Sequence, residues 1–149
     1  MKDILRLARL YFVLLAICTV GRWALGIFGV PYADGHHYFS LIILTAISCV
    51  YYPAFARRWQ RYSVSQAMAL AATLGFAAQV VIFVSTALSY ALGIDSYFNH
   101  PRALRVEEKL PVLAALGSRL SGMFANTLSA AVVGSVGWAL GGLLPDKEA

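Results

Sequence analysis

From Ser118 to Gly142 the chain reads SRLSGMFANTLSAAVVGSVGWALGG, an apolar run whose one charge, Arg119, stands at its start. A helix needs about 20 such residues to cross the hydrocarbon of a bilayer, and this stretch is long enough. Its small residues follow a pattern. Gly117, Ser121, Ala125 and Ser129 recur every four residues, as do Gly122, Asn126, Ala130 and Gly134, and Gly137 and Gly141 add a GxxxG step. Four-residue spacing keeps each series on one slowly drifting helix face, where another helix backbone can come close. The stretch predicts a membrane helix built for packing, and the other apolar runs become its candidate neighbours.

Three such runs precede it. The chain is 60% hydrophobic and only 13% charged over 149 residues, well beyond the usual composition of a soluble domain. The expected fold is an all-α integral membrane protein: a four-helix up-and-down transmembrane bundle in a single domain, 1–149, with approximate spans 8–29, 38–56, 65–92 and 112–144 and an outer loop at 93–111. The first apolar run imitates a secretory signal, but it continues through Trp23, Leu25, Ile27 and Phe28, too far for a signal's apolar core, so it reads as a retained first helix. Gly29 to Gly35, GVPYADG, has turn chemistry, and Pro53 falls near the end of the second span. Within the outer loop, Arg102 to Lys109 reads as a short surface helix, and Pro111 suits the start of the last span.

The net charge of +5 is concentrated at the ends of apolar runs, which points to lipid headgroups and excludes nucleic acid as the natural partner. Lys2, Arg6, Arg9, Arg57, Arg58, Arg61 and Lys147 collect on one side of a four-span topology, against Arg102, Arg105 and Lys109 on the other. The positive-inside rule then gives N-in/C-in, and a bacterial cytoplasmic membrane is the expected location. Arg57, Arg58 and Arg61, with Trp59 among them, read as an anionic-lipid anchor. Cys18 and Cys49 lie inside apolar runs without CxxC spacing and read as structural.

All seven carboxylates, Asp3, Asp34, Asp95, Glu107, Glu108, Asp146 and Glu148, fall in loops, tails or their edges. Cation-coupled transport usually needs an ionisable group inside the membrane, so the pattern argues against it. No GxSxG elbow, phosphate-binding glycine loop or HExxH occurs, and enzymatic activity has no positive support. Within the spans, Thr45, Ser48, Gln79 and Asn126 form an uncharged polar layer. Gln79 and Asn126 fall at similar depth on antiparallel helices, which suits an interhelical hydrogen bond or, as an alternative, contact with a ligand such as a quinone carbonyl. His36, His37 and His100 share the outer side with Asp34, Asp95, Tyr97 and Asn99, the donor types that zinc or copper prefers, although the spacing matches no metal motif. Arg22 and Arg119 are expected to snorkel to the outer interface, or alternatively to form an anion site or an ion pair, such as Arg22 with Asp34.

No cofactor is evident from these features. The function expected is that of an accessory or structural interaction subunit of a larger membrane assembly, or a homo-oligomer, because small residues occupy more faces of the last helix than one neighbour requires. The alternative is a redox or ligand-binding membrane protein holding metal, haem or quinone near the outer face through Arg22 and the three histidines. The partners expected are membrane lipids, and other membrane subunits or further copies of the chain.

Overall fold

A computed structural model describes residues 6–145, and those residues form helices and loops with no strand. The elements are α1 (Arg9–Ile27), α2 (Tyr32–Gly35), α3 (Leu41–Gln60), α4 (Val64–Ala91), α5 (Pro101–Leu104) and α6 (Val112–Gly141). The terminal charges Lys2, Asp3, Asp146, Lys147 and Glu148 lie outside the described residues.

Local chemistry sets the ends of these helices. Ser63 and Gln66 form a reciprocal capping box at the start of α4, satisfying two backbone N–H groups that the helix cannot satisfy itself. Gly29 (φ 69°) and Gly93 (φ 64°) supply the left-handed residue after α1 and α4. Val30 N–H then donates back to Leu25 O and Ile94 N–H to Ser89 O, which closes a Schellman turn in each case. The second long helix differs from the expected span 38–56: it begins at Leu41, capped by Ser40, and runs through Pro53 to Gln60. A proline within a helix forfeits one backbone bond but does not end a helix that is packed on both sides. The expected surface helix at 102–109 is instead the single turn Pro101–Leu104, ended by Arg105 in the left-handed region (φ 60°).

Three helices, Arg9–Ile27, Val64–Ala91 and Val112–Gly141, are long and apolar enough to cross a membrane. α3 is as long as α1 but closes on Arg57-Arg58-Trp59-Gln60. Large apolar side chains turn outward: Phe124 and Leu128 are 77% and 70% exposed, and Val132, Val136 and Leu140 continue the same stripe along α6. The interior combines large side chains such as Tyr11, Leu41, Leu70 and Leu74 with many small ones, among them Ala56, Ala67, Ala71, Ala78 and Ala130. This is the arrangement expected when the surroundings are as apolar as the core and close approach supplies the attraction.

α4 and α6 are the most extensively packed pair, α3 lies against both, and α1 flanks α3. Glycine decides where they meet. A Cβ on Gly75 would overlap the Ala130 Cβ and one on Gly134 would overlap the Ala71 Cβ, while Gly137 and Gly141 lie against the backbone of Val50 and Ala54 on α3. The antiparallel register of α4 and α6 follows from these contacts. Gly134 faces Ala71 and Ala130 faces Gly75, so one further step of four residues sets Asn126 opposite Gln79. Arg119 then stands opposite Thr86, and a hydrogen bond of 3.2 Å joins them. The small faces of α6 are thus divided: Ala130, Gly134, Gly137 and Gly141 are buried within the chain, and the residues toward Gly117 are not.

Candidate functional site: a cavity roofed by an inserted loop

Gly137 and Gly141 let the α6 backbone approach that of α3, and α3 begins at Leu41, at the depth of Gln79 and Asn126. Beyond that point α4 and α6 continue without α3 between them. The space left is a cavity of about 470 Å³, within the range that holds small organic ligands. Leu41, Ile42, Thr45 and Cys49 of α3 line one side, Gly75, Ala78, Gln79 and Ile82 of α4 form the back, and Ser118, Ser121, Gly122, Ala125, Asn126 and Ser129 of α6 line the other. Ile42 is 69% exposed and Ala125, Asn126 and Ser129 are also exposed, so the cavity opens sideways between α3 and α6.

Its roof is Ala103, Leu104 and Arg105, part of the segment after α4, and the same segment holds a buried stretch. Ser96, Tyr97, Phe98 and Asn99 are each under 5% exposed, so the expected outer loop is in fact inserted between the helix ends. Buried backbone must find partners, and here it does so through side chains. Asn99 Oδ1 accepts from Ser96 N–H at 2.9 Å, and Asn99 Nδ2 donates to Ile94 O at 3.0 Å. Ser96 Oγ pairs with Ser89 Oγ at 2.6 Å. Thr86 Oγ1 lies within hydrogen-bond distance of both Ile82 O and Phe98 O. Tyr97 Oη is 3.0 Å from both Val30 O and Pro31 O, tying the roof to the loop after α1. Burial raises the Tyr97 pKa, partly offset by Arg22, with Asp34 and Tyr32 raising it further. The phenol is thereby kept as a donor.

Two arginines hold this roof. Arg119 donates from Nε to Thr86 Oγ1, from Nη1 to Ala103 O at 3.3 Å and from Nη2 to Phe98 O at 2.7 Å. Arg22 is only 9% exposed, donates from Nη1 to His36 O at 3.3 Å and lies 5.5 Å from the Tyr97 ring centroid and 5.9 Å from that of Phe98. Among the described residues, neither arginine has a carboxylate within 4 Å. Among the described residues the one ion pair is Lys109 with Asp95, on the exposed rim. The Arg22–Asp34 pair is therefore not formed: the loops bring a carbonyl and two aromatic faces to Arg22 instead.

The histidines gather on the roof around one tyrosine. Tyr32 stacks on His100 at 4.4 Å and on His36 at 5.6 Å, and the His36 and His37 rings are 3.7 Å apart. His36 Nδ1 points at Tyr32 O and Ala33 O, and His100 Nδ1 accepts from Arg102 N–H. Among the described residues no group of three His, Cys, Asp or Glu side chains is placed to hold a metal ion. Burial, then the charge of Arg102, lowers the His100 pKa, with Asp95 opposing.

Gln79 and Asn126 both face the cavity, and no hydrogen bond within the described residues engages either amide. Among the described residues the interhelical bond expected between them is not made, and both side chains line the cavity instead. At the opposite end of the molecule, Arg57 donates to Trp138 O at 2.9 Å and to Ala139 O at 3.1 Å while lying 3.9 Å over the Trp138 ring. Trp138 Nε1 donates to Tyr62 O, and Arg58 Nε to Pro145 O. Arg57 and Arg58 thus neutralise the end of α6, whereas Arg61 is exposed.

The role of the roof was not read from the sequence. Its signal is present: Ser85, Thr86 and Ser89 form a polar stripe within an apolar helix, followed by Ser96 and Asn99, residues that bond backbone locally. Comparison of the chain with protein-family models, with curated proteins and with solved structures finds no match.

Proposed function

We propose that this chain is an integral membrane protein of four spans, N-in/C-in, that binds an amphiphilic ligand entering its cavity sideways from the bilayer. The observation that carries the reading is the cavity itself, with two unengaged amides on its wall and its opening between α3 and α6. In hydrocarbon an amide without a partner is costly, and a ligand with carbonyl or hydroxyl groups offers one. α3 counts as the fourth span because Ile42, Ile43 and Ile47 turn outward along it. Its arginines then meet the cytoplasmic headgroups, in keeping with the positive-inside distribution. The three histidines belong to the roof in this reading and not to a metal centre.

The reading as an accessory subunit or homo-oligomer competes for the same space. The buried glycine face of α6 is already occupied by α3 and α4, so the surface left for a partner helix is the cavity wall at Ser121 and Ala125. Native mass spectrometry of protein extracted with its surrounding lipids distinguishes the two. A retained small molecule that is lost in the cavity-filling variant Ala125→Trp, with unchanged thermal stability, supports ligand binding. Stoichiometric foreign subunits or a stable homo-oligomer, with no difference in bound small molecules between the two proteins, would overturn it.

A further inference from the structure

Resting on the cavity reading above, we propose that the ligand is a phosphate-bearing amphiphile whose oxyanion is held by Arg119 and Arg105, with its chain leaving between α3 and α6. The argument begins with charge. Arg119 borders the cavity, and its guanidinium is bound by two carbonyls and a hydroxyl, all neutral acceptors. A guanidinium has five N–H groups, and the three hydrogen bonds leave one N–H on each terminal nitrogen. Arg105 adds a second cation at the same end of the cavity, and no acidic residue lines it. A partly buried positive charge without a counter-charge is unfavourable, and an entering anion relieves it. Arginine's planar donors suit phosphate and carboxylate in particular.

Polarity along the wall then identifies the rest of the molecule. Arg119 and Thr86 define the top level. Seven residues along each helix, about 10 Å at the α-helical rise, stand Asn126 and Gln79. Beyond them are Ala130 and Val133 with Thr45, Cys49 and Ser129, the Thr45 and Ser129 hydroxyls being bonded to Leu41 O and Ala125 O of their own helices, and Ile42 stands at the lateral opening. Charged, then amide, then apolar is the order of a lipid phosphate, its ester carbonyls and its chains. A volume of about 470 Å³ accommodates the headgroup and the first part of a chain, and the open side leaves the remainder in the bilayer. A free inorganic anion would use the top of this cavity and nothing else.

The test is native mass spectrometry of the whole purified protein in a neutral detergent, titrated with phosphatidylglycerol, with a glucosyl diacylglycerol of the same chains, and with inorganic phosphate. The expected result is retention of phosphatidylglycerol roughly tenfold tighter than the glycolipid, the scale of one charge-assisted interaction. That preference disappears in Arg119→Gln and shrinks in Arg105→Gln. Arg105 is exposed and its side chain holds nothing in the fold, so its variant tests the proposal even where loss of Arg119 loosens the roof.

Equal retention of both lipids, unchanged in the arginine variants but lost in Ala125→Trp, overturns the phosphate assignment and leaves the cavity reading standing. Equal retention of each lipid by wild type and Ala125→Trp overturns both. Displacement of phosphatidylglycerol by inorganic phosphate at equal concentration overturns the assignment to a lipid.

Discussion

Arg119 Nη2 donates to Phe98 O over 2.7 Å, so one guanidinium both borders the cavity and fastens the loop that roofs it. The same residue, Phe98, presents its ring to Arg22 at 5.9 Å. Arg119 is thus shared between the cavity wall and residues 96–99.

Asn99 is the internal brace of the roof. Asn99→Ala leaves Ser96 N–H and Ile94 C=O buried without their partners, at a cost of about 1–3 kcal/mol per group. The expected outcome is faster tryptic cleavage after Arg102 and Arg105 with unchanged helix content by circular dichroism. Cleavage at the wild-type rate would show that the roof does not depend on Asn99.

His100 gives the roof a pH dependence whose direction is fixed. Its folded-state pKa lies below the ordinary 6.5 because burial and Arg102 disfavour the imidazolium. Protons therefore bind the released segment more readily than the packed one. The stabilisation is present above the ordinary value and is lost as pH falls from there through the folded pKa. Amide exchange across residues 94–106, corrected for the intrinsic slowing of exchange in acid, should accelerate as the pH falls from about 7.5 to 5, and His100→Gln should flatten that response. A wild-type profile with no acid-side acceleration contradicts the assignment.

Gly137 fixes the approach of α3 and α6. A methyl group there would lie 2.8 Å from the Val50 Cα, so Gly137→Ala must force the helices apart, at about 1–3 kcal/mol. At Gly117 an added Cβ meets nothing within 4 Å, and Gly117→Ala should be neutral or stabilising by up to about 1 kcal/mol. Unfolding in mixed micelles with increasing SDS compares the two. Equal losses would mean that the close contact carries no weight.

Arg57 closes the far end of α6 through two carbonyls and the Trp138 face. Arg57→Lys keeps the charge but loses the planar stacking and the paired donors, with an expected loss of about 1 kcal/mol. The exposed Arg61→Ala should change stability by less than about 0.5 kcal/mol. Hydrogen exchange at residues 139–143 reads the difference, and faster exchange in the Arg61 variant than in the Arg57 variant would reverse the assignment.

Much of the helical framework was legible along the chain, because apolar length and glycine spacing act within a single segment. The run from Ser118 to Gly142 identified the packing helix, and the equal depth of Gln79 and Asn126 follows from counting residues along two antiparallel helices. The cluster at Arg57, Arg58 and Arg61 marked one end of the molecule. Helix limits were less legible: the second span was expected to cover 38–56, with Pro53 near its end, whereas the helix runs from Leu41 to Gln60.

What the sequence determined by itself was therefore helical class, apolar span length and the distribution of charge, since each depends on residues adjacent along the chain or one helical turn apart. Only the tertiary structure decided which small residues pack and which line a cavity. Gly134, Gly137 and Gly141 meet partners on α3 or α4, while Gly122, Ala125 and Ser129, alike in sequence, face the space where α3 has ended. It also decided that residues 96–99 turn inward and that Arg22 and Arg119 are enclosed by carbonyls and rings. The physical reason is the same in each case. Burial of a polar or small group depends on which surface lies opposite, and that surface is supplied by a segment distant in the chain.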